Sequence, residues 1–513
     1  MSTIKYILSL TFLNLLLFHV PFYSYVLEHI EVGTADGLLS LFVVMVALFV
    51  VNIFLLSLLA LISTKVLKGF TLFMLFSAPI ALYFMSTYNT ILDRTMMGNL
   101  FNTNTSEALS YYHPKMFIYL FIGLLLAYIV FKIPIKKSKR VKLLKFGLGI
   151  TVMGIVILYI NSSKWLWLDK HAKNLGARAM PWSYVINSIR YKLRELKEHK
   201  KQILLPTATF ANPKEKIVVI LVIGESARAK SFSLYGYERE TNPRLKKEDI
   251  VVLKNTKATA TYTTASVHSM LSYVGSSSDS YEPLPNYLQR QGVEVIWRTK
   301  NWGEPHLNVE TYQRASDLEA SCKGDECNYD SVLLTGLMKR IKASKKKKVF
   351  VVLHTSGSHG PSYFEKYPKK FELFKPVCKT VNIKECSQEE LNNAYDNTIV
   401  YTDYFLATII EKLKKEQGLN SLMIYLSDHG ESLGEYGLYL HGTPYSIAPD
   451  VQKKVPFLFW ASNSFKEKRN LKNIDFEHQK EHGDYNIFHS VMGAFEMNST
   501  IYDNKLDIFS YTQ

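Results

Sequence analysis

The chain has 513 residues, 47% of them hydrophobic, and a formal net charge of +16. That length exceeds what a single core organises, so at least two domains are expected. The hydrophobic residues crowd the first third and many lysines flank apolar runs there, so the basicity reads as membrane topology and attraction to anionic lipid, and nucleic acid is excluded as a partner.

In chain order, the first apolar span, 4–26, is interrupted only by Lys5 and His19 and is long enough to cross about 30 Å of hydrocarbon. No small-residue cleavage site follows it, so it is expected to remain as an anchor. Further spans are predicted at 38–62, 70–88, 116–131 and 146–160. Lys65 and Lys68 follow the second, and Lys132, Lys136, Lys137, Lys139, Arg140, Lys142 and Lys145 separate the fourth from the fifth. The segment after the first carries Glu28, Glu31 and Asp36 and no Lys or Arg. Positive-inside bias then puts the N-terminus in the cytoplasm, and five crossings deliver everything after about residue 160 to the opposite, periplasmic side.

Between the third and fourth spans, Asn99, Thr103 and Glu107 recur every four residues and would share one helix face. From spacing alone an ordinary solvated face explains them. The stretch 161–213 is a charged linker, and Trp165, Trp167 and Trp182 suggest a helix lying at the membrane interface. Residues 190–201 read as a solvated helix whose lysines could steer anionic head groups.

From Lys216 onward the pattern is that of a soluble α/β domain. Short β-branched runs at 217–223, 293–297, 349–353, 422–426 and 455–460 alternate with helical-period segments, which implies a largely parallel sheet covered on both faces. The lysine run 345–348 reads as a solvated helix end or turn. The expected partition is a five-helix transmembrane domain over 1–163, a linker over 164–215 and a catalytic α/β domain over 216–513. Cys322, Cys327, Cys378 and Cys386 form two closely spaced pairs. Two short-loop disulfides in an oxidising compartment fit them best; a four-thiolate metal site would space the second pair more tightly.

Several strands end in polar clusters. The first runs into Gly224-Glu225-Ser226-Ala227-Arg228, the third into His354-Thr355-Ser356-Gly357-Ser358-His359-Gly360-Pro361, and the fourth into Ser427-Asp428-His429-Gly430, with His441-Gly442 soon after. Gly430 is expected to let the chain turn so that Asp428 and His429 emerge together. A parallel sheet would collect these carboxylates and imidazoles at one edge, where one or two metal ions could sit, zinc among them. The hydroxyl-rich run from Thr259 to Met270 then turns into a helix-like pattern. It reads either as a capping and turn sequence or as a metal-activated nucleophile beside phosphate-binding amides.

These motifs, together with Tyr235-Gly236-Tyr237-Glu238-Arg239, Asn242-Pro243 and Glu431-Ser432-Leu433-Gly434-Glu435, resemble over nearly the whole length the bacterial phosphoethanolamine transferases that decorate lipid A. That family belongs to the alkaline-phosphatase-like superfamily and includes the mobile colistin-resistance (polymyxin-resistance) enzymes. The resemblance implies that Glu225, Asp428 and His429 bind zinc, with Thr263 completing the shell as nucleophile. It implies that His359 and His441 hold substrate phosphate or a second zinc, and that Asn99, Thr103 and Glu107 contact lipid substrate. Cys322 with Cys327 and Cys378 with Cys386 match family disulfides. Relatives often pin the nucleophile loop with a further disulfide, where this chain has Thr259 and Ser269. The register selects Thr263 and leaves Thr261 and Thr264 as alternatives. Head-group contacts fall near Arg298, Lys300 and Asn301.

The function this implies is zinc-dependent transfer of phosphoethanolamine from phosphatidylethanolamine, through a phospho-threonine-type intermediate, to lipid A or another envelope glycan or protein, with release of diacylglycerol. The expected protein is a monomeric, multi-pass enzyme of the bacterial inner membrane. The nearest rival is a phosphoglycerol transferase or periplasmic phosphodiesterase on the same threonine-metal core. A sulfatase would need a Cys or Ser nucleophile in a Cys/Ser-x-Pro-x-Arg setting, which the sequence lacks, and a silent envelope scaffold would not need the metal-ligand set.

Overall fold

The computed structural model of the chain describes residues 1–103, 108–109, 111–198, 202–277, 280–416, 418–471 and 481–510. Two compact units result: Met1–Gly98 with Tyr112–Leu193, and Asn99–Tyr111 with Arg194–Gln513.

The first unit is helical: α1 (Thr3–Phe18), α2 (Val20–Glu28), α3 (Ala35–Ile62), α4 (Thr64–Tyr88), α5 (Arg94–Asn102), α6 (Pro114–Lys132), α7 (Arg140–Ile160), α8 (Trp165–Gly176) and α9 (Trp182–Glu198), with α5 running on past Gly98. Among the described residues α3, α4, α6 and α7 are each long and apolar enough to cross a membrane, and α1 with α2 passes as a fifth only as a pair bent by 64°. The predicted first span is therefore a broken one. Pro21 lacks the N–H that would bond back to Leu17, and His19 leaves the helix with its Nδ1 3.0 Å from the Asn14 carbonyl. The fourth and fifth spans are longer than predicted because Lys132, Lys142 and Lys145 are absorbed into helix ends, where a long stem can reach water.

Apolar side chains on the outside of α6 and α7, such as Phe121, Ile155 and Tyr159, are exposed, which suits hydrocarbon and not water. Inside, small residues let helices approach: a Cβ on Gly123 of α6 would lie 2.4 Å from the Leu75 carbonyl oxygen of α4. Asn52 Oδ1 accepts from Asn14 Nδ2 and from Trp182 Nε1, each at 3.0 Å, and the Trp182 ring stacks on Phe70 with centroids 5.1 Å apart. Trp182 is thus buried within the helical unit, contrary to its expected interfacial place. Its N–H finds an acceptor among the helices, so it has no need of the interface.

The second unit is built on a seven-stranded sheet of β1 (Ile217–Gly224), β2 (Ile250–Leu253), β3 (Glu294–Thr299), β4 (Thr311–Arg314), β5 (Lys348–His354), β6 (Asn420–Ser427) and β7 (Phe457–Ala461), in the order β2-β7-β6-β1-β5-β3-β4. Only β7 pairs antiparallel with its neighbours, so the sheet is largely parallel, as the sequence implies. Every residue of β1, β5 and β6 is buried, which requires cover on both faces. On one face α10 (Thr263–Leu271) and α12 (Ile487–Ala494) pack against Ile217, Val219, Leu221 and Ile223, while α11 (Gln388–Lys414) packs on β6. Sequence reading missed β2 and β4, the two edge strands, because neither presents a fully buried apolar run. Lys345, Lys346 and Lys347 are exposed, but Lys348 is a buried residue of β5, not a solvated turn residue, and its ammonium donates to the Asn212 and Glu215 carbonyls at 2.9 and 3.0 Å.

Both cysteine pairs are disulfides, Cys322–Cys327 and Cys378–Cys386, and no cysteine is free, which removes the four-thiolate metal site.

Replacing Asn52 with Leu leaves two buried donors, on Asn14 and Trp182, without their shared acceptor. Thermal unfolding of the detergent-solubilised protein should show a loss of about 1–3 kcal/mol; an unchanged midpoint would mean that this network does not hold the helices together.

Candidate active site

Strand register builds the site. Gly224 of β1 lies opposite Ser427 of β6, so Glu225 and Asp428, each the next residue, leave adjacent strands at the same level. Ser226 then takes a left-handed conformation (φ 55°) that costs a non-glycine residue energy. Three bonds hold it there: its Oγ donates to Glu225 Oε1 at 2.7 Å, its N–H donates to Asp428 Oδ1 at 3.2 Å, and its carbonyl accepts from Tyr395 at 2.6 Å. Past Asp428, the His429 Nδ1 lies 2.9 Å from the Gly430 carbonyl. That contact calls for the proton on Nδ1 and leaves the Nε2 lone pair free. Gly430 is needed for space and not for an unusual φ: a Cβ there would lie 2.0 Å from the Val451 carbonyl oxygen.

The His429 Nε2 lies 3.4 Å from Glu225 Oε1, 3.4 Å from Asp428 Oδ2 and 3.3 Å from Thr263 Oγ1. Thr263 opens α10, and its hydroxyl donates to Glu225 Oε2 at 3.1 Å. The alternatives are placed otherwise. Thr261 donates to the Thr443 carbonyl at 2.6 Å, and the Thr264 Oγ1 is buried with no partner. In place of a disulfide the loop is held by hydrogen bonds: Thr259 donates through N–H and Oγ1 to Asp484 Oδ2 at 3.2 and 2.7 Å, and Ser269 donates to the Gly275 carbonyl at 2.8 Å.

His441 joins from farther along the chain. One donor atom each of Glu225, His429 and His441 lies within 4.8 Å of the others. The His441 ring centroid is 4.3 Å from that of His429 and 5.0 Å from that of His359. Asn301 turns its amide to the cluster, donating to Glu225 Oε2 at 2.6 Å and to the Thr355 carbonyl at 3.0 Å. On α5 and just beyond it, the Thr103 hydroxyl donates to the Asn99 carbonyl at 2.7 Å, which fits their four-residue spacing, while Glu107 lies outside the described residues.

Sequence reading gave no role to Glu431, although it sits in the quoted motif. Its Oε2 lies 3.1 Å from His441 Nδ1, and its Oε1 accepts from the Tyr363 hydroxyl at 2.8 Å. A buried carboxylate in that position orients the imidazole and leaves its Nε2 facing the cluster.

The electrostatics call for a cation. Burial pushes the Asp428 carboxyl well up, and the Glu225 charge adds to this. Burial opposes ionisation of Glu225 as well, but positive charge on the surrounding imidazoles, when they are protonated, outweighs it and holds that carboxyl far below the usual range. Burial also pushes His429 down to about 4, so its ring is neutral. Asp428 Oδ2 is buried without a hydrogen-bond partner. Carboxylate oxygens, a neutral imidazole nitrogen and a hydroxyl form a donor set that a divalent metal ion would satisfy.

The sheet and the site at its carboxyl edge define an enzyme of the alkaline-phosphatase-like class, carried on a chain with membrane-spanning helices. Comparison with known proteins narrows this. Residues 217–497 match the family described as Sulfatase, and residues 38–196 match Phosphoethanolamine transferase EptA/EptB. The chain is 38% identical to phosphoethanolamine transferase EptA of Helicobacter pylori, over 96% of this chain and 94% of that one. It is 33% identical to the phosphatidylethanolamine transferase Mcr-1 of Escherichia coli, over 77% and 78%. Among solved structures it superposes on the integral membrane protein lipooligosaccharide phosphoethanolamine transferase A from Neisseria meningitidis with a TM-score of 0.88 and 26% identity, covering 98% of each chain. The chain belongs to the phosphoethanolamine transferase family and is a multi-pass membrane enzyme with a C-terminal soluble domain.

Two outcomes follow from this geometry. Glu431→Gln frees the His441 ring and should lower turnover about 10–100-fold with little change in the unfolding midpoint; full turnover would show that Glu431 does not position His441. Burial pushes the fully buried Asp484 carboxyl up to about 7, against the pull of its Thr259 hydrogen bonds. In the unfolded chain it would titrate near 4, so between about pH 4 and 7 the folded state holds a proton that the unfolded state has lost. Asp484 therefore stabilises the fold below about pH 4 relative to neutral pH, and its contribution is lost as pH rises to about 7. Unfolding midpoints followed from pH 5 to 8 should fall less steeply in Asp484→Asn than in the unaltered protein, and parallel slopes would refute the assignment.

Proposed function

We propose that this enzyme moves phosphoethanolamine from phosphatidylethanolamine to lipid A, or to another envelope glycan or protein, through a covalent intermediate on Thr263. The reading is supported most directly by one observation: the Thr263 hydroxyl lies within hydrogen-bonding distance of both Glu225 and His429. Glu225, Thr263, Asp428 and His429 would hold a zinc ion, with His441 and His359 available to a second. Zinc bound there would lower the pKa of the hydroxyl and offset charge on the phosphoryl group.

The protein's own groups divide the remaining work. Thr263 Oγ1 gives its proton to Glu225 Oε2, which accepts its hydrogen bond, and forms a bond to phosphorus as the bond to the glycerol oxygen breaks. His359 or His441 supplies the proton that lets diacylglycerol leave. The first amides of α10 would be available to the phosphoryl oxygens. An acceptor hydroxyl or phosphate oxygen then bonds to the phosphorus as the bond from phosphorus to Thr263 Oγ1 breaks; Oγ1 takes up a proton, and the proton of an acceptor hydroxyl passes to the histidine that protonated diacylglycerol. Asn99, Thr103 and Glu107 would meet the lipid substrate. The membrane helices bring the enzyme to a donor and an acceptor that both reside in lipid, in the bacterial inner membrane with the soluble domain in the periplasm.

Intact-mass measurement after incubation with phosphatidylethanolamine should find a phosphoethanolamine adduct on the unaltered protein and none on Thr263→Ala; an adduct on the variant would move the nucleophile elsewhere. Phosphatidylglycerol in place of phosphatidylethanolamine should yield little diacylglycerol, and a reversed preference would favour phosphoglycerol transfer. Exhaustive chelation should abolish turnover and zinc should restore it, whereas turnover that survives depletion would remove the metal from the reaction.

A further inference from the structure

Beside the nucleophile lies a cavity of about 770 Å³ bounded in part by Asn301, Trp302, Glu304, Tyr312, Tyr329 and His359. One carboxylate in its wall stands out. The Glu304 side chain is 12% exposed, and its Oε1 accepts a hydrogen bond from the Tyr312 hydroxyl. Its Oε2 is shielded from solvent and has no hydrogen-bond partner. The nearest candidate, Nδ1 of the fully buried His354, is 3.7 Å away, and both ring nitrogens of His354 also lack partners. Lys300 does not neutralise this carboxylate: its ammonium donates to the Asn328 carbonyl and lies 6.0 Å from the centre of the Tyr329 ring. A buried carboxylate oxygen without a donor is costly, and fold stability alone gives no reason to keep it.

The position of Glu304 along the chain suggests what it serves. The preceding residue, Gly303, packs on the nucleophile: a Cβ there would lie 3.3 Å from Thr263 Cγ2. Two residues before that, Asn301 donates to Glu225. The segment from Asn301 to Glu304 therefore runs from the reacting centre into the cavity, and successive α-carbons lie only about 3.8 Å apart. A phosphoryl group held at Thr263 would extend a two-carbon arm toward the cavity in whose wall Glu304 stands.

We propose that Glu304 is the ammonium subsite of this enzyme: its carboxylate, backed by Tyr312 and His354, receives the primary amine of the phosphoethanolamine head group and selects it over head groups without a positive charge. The proposal rests on the reading of phosphoethanolamine transfer at Thr263. Burial raises the Glu304 carboxyl, but His354 and Tyr312 outweigh burial and hold it below the ordinary carboxylate range. Tyr312 and Tyr329 add aromatic surface that suits a partly desolvated cation.

The test is calorimetric binding of two probes to the full-length protein in detergent, O-phosphoethanolamine and n-propyl phosphate, which share the phosphate and the length but differ in the amine. The unaltered protein should prefer phosphoethanolamine by about 10–100-fold, the range expected for a hydrogen bond to a charged group. Glu304→Gln should remove that preference and leave n-propyl phosphate affinity in place, which also shows that the variant is folded. No preference in the unaltered protein, a preference that survives in Glu304→Gln, or equal weakening of both probes would overturn the subsite. Diacylglycerol release from phosphatidylethanolamine by the unaltered protein reads the transfer reaction separately. A protein that discriminates the probes but releases none would keep the subsite and overturn the transfer reading.

Discussion

Glu225 and Asp428 are both completely buried, and they leave adjacent strands side by side. Two negative charges so placed repel each other and have lost their water, so the fold tolerates them only if one is protonated or a cation stands between them. The rest of the site answers that constraint. His429 presents a neutral nitrogen to both carboxylates, Asn301 and Thr263 donate to Glu225, and Ser226 accepts a strained backbone to bring its N–H to Asp428.

The same logic extends outward in layers. Glu431 orients His441 and is itself tied to Tyr363, and Asp484 holds the start of the loop that carries Thr263 through Thr259. Each support is a buried polar group satisfied by a specific partner, and the Tyr363 and Asp484 contacts come from elements distant in sequence. Hydrogen bonds anchor the loop at Thr259 and Ser269, so its geometry does not depend on covalent closure at that point. In the helical unit a similar device operates at Asn52, where one buried amide oxygen joins α1 and the start of α9 to α3.

Much of this was legible in the sequence because its cause is local. Apolar runs of membrane length, Lys-rich flanks, β-branched strands that end in Glu225, His354 and Asp428, and closely spaced cysteines report their structure through composition and period. The misreadings occurred where a residue's partner is remote. Pro21 and His19 broke a span that hydropathy made continuous, Trp182 found Asn52 inside the helices, Lys348 found two carbonyls inside the soluble unit, and Gly430 was required by the distant Val451 carbonyl. Glu431 and Glu304 carry no mark that separates them from other acidic residues until their surroundings are known.

The sequence alone determined a membrane-anchored chain with a C-terminal α/β domain, and its strand-end motifs carried the resemblance to the phosphoethanolamine transferases, because hydrophobic period and motifs are properties of contiguous residues. Only the tertiary structure decided which of three neighbouring threonines touches the carboxylate–imidazole cluster, which carboxylate steadies His441, and which one lines the cavity with a buried oxygen that lacks a hydrogen-bond donor. Those outcomes depend on strand register and on distances of a few ångströms between residues far apart along the chain, and no local pattern encodes them.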